Sequence, residues 1–347
     1  MKMPEQPVVN NLFQNVEGLA KSGLKFLQTG QDIAAMGAAG AAGASFSIKQ
    51  SGSMNIRNNH FGMGGFRMQA KPRSRTVLAA LPEGAEGSWG DVDRNYVIGG
   101  NWKSNGDFDF VNSFPEEVLA KAEFDASKVE VVVAPTDLHL TTAKAKLEGT
   151  NVNVSAQDVS QYGRGAYTGN ITADQLADAG LKWTLTGHSE RRTLFGESDK
   201  DVALKTKVAV ENGLNVMLCI GEQLEEREAG KTGEVNARQL QAVVDELTEG
   251  QWGNVVIAYE PVWAIGTGKV ATPEQAQETH AEIRAWLAEN VSPAVAGATR
   301  ILYGGSVNGG NCADLITNKD IDGFLVGGAS LKPEFKDIIE TANKDKK

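Results

Sequence analysis

Hydrophobic and polar residues follow two different patterns along this chain, and the change lies between residues 82 and 95. Before it, apolar residues show no sustained period after residue 30. After it, short runs rich in Val, Ile and Leu alternate with longer stretches whose apolar residues recur every three or four positions. This alternation predicts strands joined by helices, and therefore a parallel sheet with right-handed crossovers.

Eight strands are predicted in the second part, at Tyr96–Gly100, Val129–Ala134, Val152–Ala156, Trp183–Gly187, Asn215–Ile220, Val255–Glu260, Ile301–Gly304 and Gly323–Val326. Helical patterns separate them at 112–122, 172–180, 199–212, 233–249, 273–290, 310–317 and 333–343. Eight such units in about 250 residues predict an α/β fold of the closed (β/α)8 type. An open doubly wound sheet is the alternative, but NWKSNG occupies the place of its usual Gly-rich phosphate fingerprint.

The first part, residues 1–94, has the composition of a basic, low-complexity and mostly disordered extension to a barrel domain at 95–347. It contains a GAAGAAGA tract and six of the seven methionines. One amphipathic helix is predicted within 8–27, where apolar residues recur at helical spacing. The extension is a possible organelle-targeting region; a partner-docking helix or a segment without function are the alternatives.

Charge divides the chain at the same place. Residues 1–82 carry nine Lys or Arg and three acidic residues, a net charge of +6, so the remainder carries −16 of the total of −10. A strongly negative body repels nucleic acid and anionic membranes, and neither is expected as a partner. Cys219 and Cys312 lie in no metal-binding pattern, so reduced thiols and no metal are expected.

A single carboxylate, Glu260, ends the predicted sixth strand. Gly266 and Gly268 lie in the loop that follows, and Thr272 and Pro273 have the pattern of a helix start. A carboxylate at a strand end under a hinged loop is typical of a general base that is sealed from water. The alternative is an ordinary connection with a solvated Glu.

Two further strand ends carry polar residues suited to an anionic ligand. Asn101 and Lys103 are two residues apart after the first strand, so an extended chain would direct both to one side. His188 precedes a helical segment, where the positive end of the helix dipole is expected to lower its pKa and keep it neutral. A surface loop and a structural histidine are the respective alternatives.

Adjacent glycines follow the seventh and eighth strands, in YGGSV at 303–307 and LVGGASL at 325–331. Glycine-rich loops at these two places form the usual phosphate site of (β/α)8 enzymes, whereas either pair alone would suggest a tight turn. His139 and His280 have no partners at metal-ligand spacing and are expected at the surface.

Taken together, NWKSNG, LTGHSERR, AYEPVWAIGTGKVAT, YGGSV and LVGGASL resemble the triosephosphate isomerase family, in order and over about residues 95–345. The resemblance implies a TIM barrel that interconverts dihydroxyacetone phosphate and D-glyceraldehyde 3-phosphate without metal or organic cofactor. It also implies a place in glycolysis, gluconeogenesis and the Calvin cycle. Triosephosphate isomerases are among the enzymes that define how acid–base residues are tuned by their surroundings, so the roles below are carried over from the family.

The resemblance also implies roles for individual residues. Glu260 would be the base, neutral His188 the electrophile and Lys103 the electrostatic stabiliser, with Asn101 orienting the substrate oxygen and Glu190 beside Lys103. The phosphate cradle would comprise Gly266, Ser306, Gly327 and Gly328. The lid would comprise Pro261, Val262, Trp263, Ala264, Ile265, Gly266, Thr267, Gly268 and Lys269.

Members of this family are typically homodimers through a long third loop, which here corresponds to residues 156–170. Thr168 would lie near the partner's Asn101. Asn170 stands where the family usually has a Glu that pairs with an Arg across the interface, most simply Arg191. Loss of one ion pair at the rim of an interface changes stability by about 0–1 kcal/mol, so a homodimer is still expected.

Two readings compete with an active isomerase: a barrel retained as a scaffold or binding protein after losing activity, and another phosphate-binding (β/α)8 isomerase. The retained Glu260, His188 and Lys103 argue against the first, and the lid sequence argues against the second. A basic leader before an acidic domain favours an organelle, a plastid rather than a mitochondrion, with a cytoplasmic enzyme as the alternative.

Overall fold

A computed structural model describes residues 93–264 and 271–346 of the chain. The helix predicted within 8–27 and the lid residues Ile265, Gly266, Thr267, Gly268 and Lys269 lie outside the described residues. No helix in the described ranges is long and apolar enough to cross a membrane.

Eight parallel strands form a closed barrel, so the predicted (β/α)8 architecture is confirmed. Each strand pairs with the next in sequence, and β8 returns to pair with β1 through Val97–Gly323 and the following positions. The strands are β1 Tyr96–Asn101, β2 Val129–Ala134, β3 Val152–Ala156, β4 Trp183–Thr186, β5 Asn215–Ile220, β6 Val255–Tyr259, β7 Ile301–Tyr303 and β8 Gly323–Val326.

Helices cover the outside of the barrel. They are α1 Phe108–Glu117, α2 Leu140–Lys146, α3 Ala173–Asp178, α4 Ser189–Leu194, α5 Asp199–Glu211, α6 Leu224–Glu228, α7 Thr232–Val244, α8 Pro273–Asn290, α9 Pro293–Ala298, α10 Cys312–Ile316 and α11 Glu334–Asp345. Short 3-10 turns occur at Leu119–Lys121, Asp137–His139, Glu249–Asn254, Val262–Ala264 and Gly328–Leu331. Helix α8 begins as predicted, with Thr272 and Gln275 forming a capping box and Pro273 in the first turn.

Two apolar layers stabilise this arrangement, because alternate residues of each strand point to opposite faces. Val132, Leu185, Met217 and Leu302 belong to the smaller buried cluster, which draws its members from the strands. The larger cluster joins strand residues such as Ile257 to the covering helices. With both faces of the sheet buried, the strands read as continuous apolar runs, and the loops after them carry the polar chemistry.

His139 and His280 are buried, so their predicted surface location is wrong. His139 accepts or donates a hydrogen bond with Thr136 and packs edge-on against Phe108. His280 lies on the inner side of α8, with Nδ1 3.1 Å from the Asp320 carbonyl oxygen. Each ring has a polar partner inside the fold, and this partner allows the ring to be buried. The prediction considered only the spacing of possible metal ligands, which gives no information about such partners. Cys219 and Cys312 are buried and free of disulfide.

Candidate active site

The carboxyl ends of the strands meet around one cleft with a volume of about 400 Å³. Because all eight strands are parallel, residues far apart in sequence reach the same end of the barrel. The cleft brings together most of the predicted site residues: Asn101, Lys103, His188, Glu260, Ser306, Gly327 and Gly328.

Glu260 follows β6 directly and is buried, with 2% of its surface exposed. One carboxylate oxygen accepts a hydrogen bond from the Ser189 backbone N–H at 3.0 Å. The other lies 3.1 Å from His188 Nε2. Two glycines make room for it: a methyl group on Gly304 would lie 2.9 Å from Glu260 Cγ, and one on Gly221 would lie 1.8 Å from the Glu260 carbonyl oxygen.

His188 stands at the start of α4, where its Nδ1 accepts a hydrogen bond from the Glu190 backbone N–H at 3.2 Å. A nitrogen that accepts cannot carry a proton, so we assign the proton to Nε2. The ring is therefore neutral and donates from Nε2 to Glu260. This arrangement supplies one hydrogen-bond donor directed into the cleft.

Burial and charge act in opposite directions on this pair. Burial lowers the pKa of His188, but the adjacent Glu260 carboxylate outweighs it and raises the pKa, contrary to the lowering expected from the helix dipole. The bond from Glu190 N–H opposes protonation and keeps the imidazole neutral. Burial raises the pKa of Glu260, but the His188 ring, the Ser189 N–H and the Lys103 charge outweigh it and lower the pKa, so the carboxylate is ionised.

Lys103 has a φ angle of +52°, a left-handed backbone conformation that residues other than glycine rarely adopt. Among the described residues, no other residue except glycine has a positive φ. The Asn101 side-chain oxygen holds this turn by accepting from the Lys103 N–H at 2.9 Å. The Gln157 amide supports it by donating to the Lys103 carbonyl at 2.7 Å. The Lys103 ammonium is 2.6 Å from a Glu190 carboxylate oxygen. Local strain is thus balanced by specific bonds, as is common at functional sites.

Glycine loops after β7 and β8 close the opposite side of the cleft. Among the described residues, no acceptor is found for the backbone N–H groups of Ser306, Gly327 and Gly328. A methyl group on Gly327 would lie only 3.7 Å from Lys103 Cε, so this loop adjoins the lysine. Unpaired backbone donors beside an ammonium are well suited to a phosphate group.

The first residues of the predicted lid are described, and they are anchored. Trp263 Nε1 donates to buried Glu222 at 3.0 Å, and the Tyr259 hydroxyl donates to the same carboxylate at 3.1 Å. Arg227 stacks over the Trp263 ring at 5.4 Å. Pro261 and Ala264 are buried, whereas Val262 and Trp263 are half-buried. The entrance to the lid therefore packs against the loop that follows β5.

Sequence reasoning missed several residues that build this site. Ser189, Gln157 and Glu222 each bond a residue of the cleft or of the lid entrance, yet they belong to common polar types in unremarkable positions. Ser189 lies within a motif already recognised, which was the available signal. The bonds made by Gln157 and Glu222 depend on the neighbouring strand and give no local signal.

The fold and the cleft define the class of protein: a (β/α)8-barrel enzyme with a buried carboxylate facing a glycine-rich anion cradle. The family model described as triosephosphate isomerase matches residues 96–342. A triosephosphate isomerase of Coprinopsis cinerea is 56% identical over 248 residues, which cover 72% of this chain and 98% of the relative. One of Paracoccidioides lutzii is 54% identical over 248 residues, with the same coverage.

A relative named as the chloroplastic triosephosphate isomerase of Fragaria ananassa is 51% identical over 279 residues, which cover 80% of this chain and 84% of the relative. The chain belongs to the triosephosphate isomerase family. Its members are isomerases, and the sequence-based prediction of the family is confirmed.

Proposed function

We propose that the chain interconverts dihydroxyacetone phosphate and D-glyceraldehyde 3-phosphate by proton transfer through an enediolate. The observation that carries this proposal is the position of an ionised, buried Glu260 in the same cleft as neutral His188, Lys103 and a glycine cradle. Family membership supports the same reaction.

In the proposed mechanism, the phosphate binds at Ser306, Gly327 and Gly328, together with Gly266 of the lid. Substrate then displaces the hydrogen bond between His188 and Glu260. The Nε2–H of His188 donates to the substrate carbonyl oxygen instead, which releases one of the two bonds that hold the carboxylate. Glu260 becomes free to approach the substrate carbon as a base.

Glu260 removes the carbon-bound proton, and the carbonyl oxygen takes the negative charge of the enediolate. Lys103 and His188 stabilise that charge. The side-chain oxygen of Asn101 accepts a hydrogen bond from the Lys103 backbone N–H, so the side-chain NH₂ of Asn101 is left to orient the substrate oxygen. Glu190 positions the Lys103 ammonium. Glu260 then returns the proton to the neighbouring carbon, and the hydroxyl proton on the first carbon's oxygen passes to the oxygen of the second. The first carbon becomes the carbonyl, and no atom is gained or lost.

The lid, Pro261–Lys269, closes over the bound substrate in this proposal. An enediolate phosphate eliminates its phosphate readily in water, so excluding water protects the intermediate and strengthens the electrostatic contacts. No described group of three or more His, Cys, Asp or Glu residues is placed to hold a metal ion. The proposed reaction uses protein groups alone.

A coupled assay of glyceraldehyde 3-phosphate isomerisation tests this mechanism with Glu260→Gln beside the wild type. Removal of the base is expected to lower kcat by about 100- to 10,000-fold. Glu117→Gln, at an exposed carboxylate outside the cleft, is the matched control and should leave kcat unchanged. A folded wild type without turnover would favour the alternative of a barrel retained as a scaffold or binding protein.

We infer that the chain forms a homodimer through residues 156–170, with Thr168 near the partner's Asn101. Large apolar side chains are exposed in this loop and nearby, including Tyr162, Tyr167, Leu194 and Phe195. Exposed apolar side chains of this size mark an interaction surface when they cluster. Sedimentation equilibrium at micromolar concentration should give twice the chain mass, whereas a monomer would contradict the proposal.

Asn170 stands in place of the family's Glu, but this replacement does not leave the Arg191 guanidinium without an acidic partner. Arg191, its expected partner across the interface, pairs within the same chain with Asp158 at 3.0 Å and with Glu197 at 2.5 Å. The substitution therefore removes an attraction between subunits without stranding a charge. Asn170→Glu is expected to change the dimer dissociation constant by less than about fivefold.

We further propose that residues 1–94 direct the protein to an organelle, a plastid rather than a mitochondrion. The match to the chloroplastic relative spans 279 residues, more than the 253 residues from 95 to 347, so it includes part of the extension. Sequencing the N-terminus of the protein from cells tests this. A mature N-terminus between residues 75 and 95 would support import, whereas an intact Met1 in the abundant form would contradict the proposal.

A further inference from the structure

The active-site cleft contains a second lysine, Lys332, which has no part in the proton-transfer mechanism. The described lining includes four charged side chains: Lys103, Glu260, Lys332 and Glu334. Lys332 is the most exposed of them, with 66% of its side chain accessible, against 25% for Lys103 and 32% for Glu334. Glu260 is buried. The Lys332 ammonium is therefore the charged group that a ligand entering from solvent meets first.

The backbone holds the base of this side chain in one conformation. A 3-10 turn, Gly328–Leu331, follows β8 and begins within the phosphate cradle, and the Lys332 backbone N–H donates to the Ala329 carbonyl at 3.2 Å. Pro333 comes next, and a residue before proline is restricted to extended conformations. Lys332 has that conformation, with φ of −124° and ψ of 159°. Its flexible side chain thus starts from a fixed point in the loop that carries the cradle glycines.

The inner part of the cleft has no excess positive charge. The Lys103 ammonium lies 2.6 Å from a Glu190 carboxylate oxygen, and its charge also lowers the pKa of Glu260. One cation therefore faces two carboxylates, and the neutral His188 adds no charge. The cradle supplies backbone N–H groups, which carry only partial charges. A phosphate monoester carries a charge of about −1.5 to −2 at pH 7, so a further cation would strengthen its attraction to the site.

The rest of the barrel domain repels such a ligand. Residues 83–347 carry a net charge of −16, because residues 1–82 carry +6 and the whole chain −10. Salt screens charges that are more than about 10 Å apart at 0.1 M ionic strength, so a charge at the mouth of the cleft outweighs the distant carboxylates. Positive charge along a cleft raises the association rate of an anionic ligand. An exposed ammonium at the mouth would therefore attract a phosphate to this acidic domain.

Glu334 leaves the Lys332 ammonium available to a ligand. The two groups are 3.4 Å apart, and an exposed ion pair of this kind contributes little to stability. The other carboxylate oxygen of Glu334 accepts a hydrogen bond from the Gly309 backbone N–H at 3.3 Å. Glu334 is thus held by the loop after β7, and Lys332 can exchange it for a phosphate oxygen.

We propose that Lys332 attracts phosphate monoesters into the active-site cleft, as a second cation that acts at the phosphate end of the substrate. Lys103 stabilises the charge of the enediolate, whereas Lys332 takes no part in the transfer of the proton. A flexible side chain with three ammonium donors suits a contact at the mouth of a cleft. The identity of the substrate rests on the proposed isomerase function, but attraction of a phosphate monoester does not.

Lys332→Gln tests the proposal in the isomerase assay, because it removes the charge and keeps a side chain that is polar and flexible. At 20 mM ionic strength, kcat/KM should fall about three- to tenfold while kcat changes less than twofold, since a charge at the rim of a site acts on association. Lys332→Arg keeps the charge and should retain more than half of the wild-type kcat/KM. At 0.5 M ionic strength, screening over about 4 Å should bring the wild type and Lys332→Gln to within twofold.

Lys336→Gln is the matched control. Lys336 also pairs with a carboxylate at 3.4 Å, that of Glu340, and it lies four residues further along the chain, outside the described lining of the cleft. It loses the same charge and should change kcat/KM less than 1.5-fold. Equal effects of the two substitutions would show that only the net charge matters. An effect of Lys332→Gln that persists at 0.5 M ionic strength would show a structural role, and either result would overturn the proposal.

Isothermal titration calorimetry of the full chain with glycerol 3-phosphate separates this proposal from the proposed reaction, because this probe has no carbonyl group to isomerise. At 20 mM ionic strength, Lys332→Gln should raise the dissociation constant at least threefold and Lys336→Gln less than 1.5-fold, with folding of both confirmed by circular dichroism. A wild type that binds the probe without isomerase turnover would contradict the reaction and leave this comparison valid. Equal dissociation constants for the wild type and Lys332→Gln, or no binding by the wild type at 10 mM, would overturn the role of Lys332.

Discussion

The His280 ring stays neutral in mild acid, where a solvent-exposed histidine side chain would be protonated. It is fully buried, and burial lowers its pKa to about 4 from the usual 6.5. Its Nδ1 donates to the Asp320 carbonyl, which is the tautomer that a neutral ring requires. The unfolded chain therefore binds a proton on this residue at pH values where the folded chain does not.

This difference predicts a dependence of stability on pH. Because the unfolded state binds more protons between pH 6.5 and about 4, the contribution of His280 to stability is complete above 6.5 and declines as the pH falls. Between pH 7 and 4 it amounts to about 3 kcal/mol. Urea unfolding of wild type and His280→Gln across this range measures it. A constant difference between the two proteins would contradict a lowered pKa for the buried ring.

Asn236 is buried, and neither the oxygen nor the nitrogen of its side-chain amide has a hydrogen-bond partner among the described residues. Replacing an unpartnered buried amide with an apolar side chain of similar shape removes a desolvation penalty, so Asn236→Leu should raise the free energy of unfolding by about 1 kcal/mol. Asn212→Leu is the control, because its amide donates to the Val208 carbonyl at 2.8 Å and its loss should destabilise. A loss of stability in both variants would mean that the Asn236 amide is satisfied in solution.

At the scale of the elements, periodicity predicted the long segments well and the short ones poorly. The strands at Val129–Ala134 and Asn215–Ile220 and the helix at Pro273–Asn290 match their predicted bounds, because each has a long apolar pattern or a clear cap. Helices α2, α6 and α9 were missed. With five to seven residues each, they complete fewer than two turns and depend on packing against the barrel.

The same reasoning applies to the candidate site. Strand ends and glycine pairs were readable from the sequence, since the barrel fixes where each strand end lies. The bond from Ser189 to Glu260 and the support of Lys103 by Gln157 were not, because each joins loops from different strands. Local sequence specifies which group reaches the cleft, and the neighbouring loops specify its orientation.

Gly221, after β5, illustrates how one element positions the chemistry of the next. A methyl group there would lie 1.8 Å from the Glu260 carbonyl oxygen, so Gly221→Ala must displace the end of β6. Displacement of a base by about 1 Å lowers activity by about 100-fold. Gly250→Ala, where no atom lies within 4 Å of the added methyl group, should leave kcat/KM and the melting temperature unchanged. Equal activity of the two variants would refute this account of the loop.

At the scale of the whole molecule, the barrel is closed at its amino end by a buried network of charges. Asp322 lies between Arg94 and Arg284, at 2.7 Å from each, and Arg284 also bonds Asp320 at 2.7 Å. Arg94 additionally donates to the Gly297 and Lys319 carbonyls. It precedes β1 and lies on the extension side of the predicted boundary between residues 94 and 95, yet these bonds are all to the barrel.

Two truncations therefore should behave differently although they differ by three residues. A chain that begins at Asp93 keeps Arg94 and should retain the kcat/KM of the full chain, and its melting temperature should stay within about 2 °C. A chain that begins at Tyr96 loses Arg94. Asp322 then keeps Arg284 and the Ile301 N–H but loses one of its two guanidinium partners, and two carbonyls lose this donor. Removing one partner of a buried ion pair is strongly destabilising, so this chain should unfold several degrees lower.

Thermal unfolding followed by circular dichroism, with the isomerase assay at 25 °C, separates the possible outcomes. If both truncated chains match the full chain, Arg94 contributes nothing to stability and the barrel begins at its first strand. If the chain from Asp93 is already destabilised, residues before it contribute to the barrel. Loss of stability only in the chain that begins at Tyr96 would place the domain boundary before Arg94, because the Arg94 guanidinium would then stabilise the buried carboxylate of Asp322 in addition to Arg284.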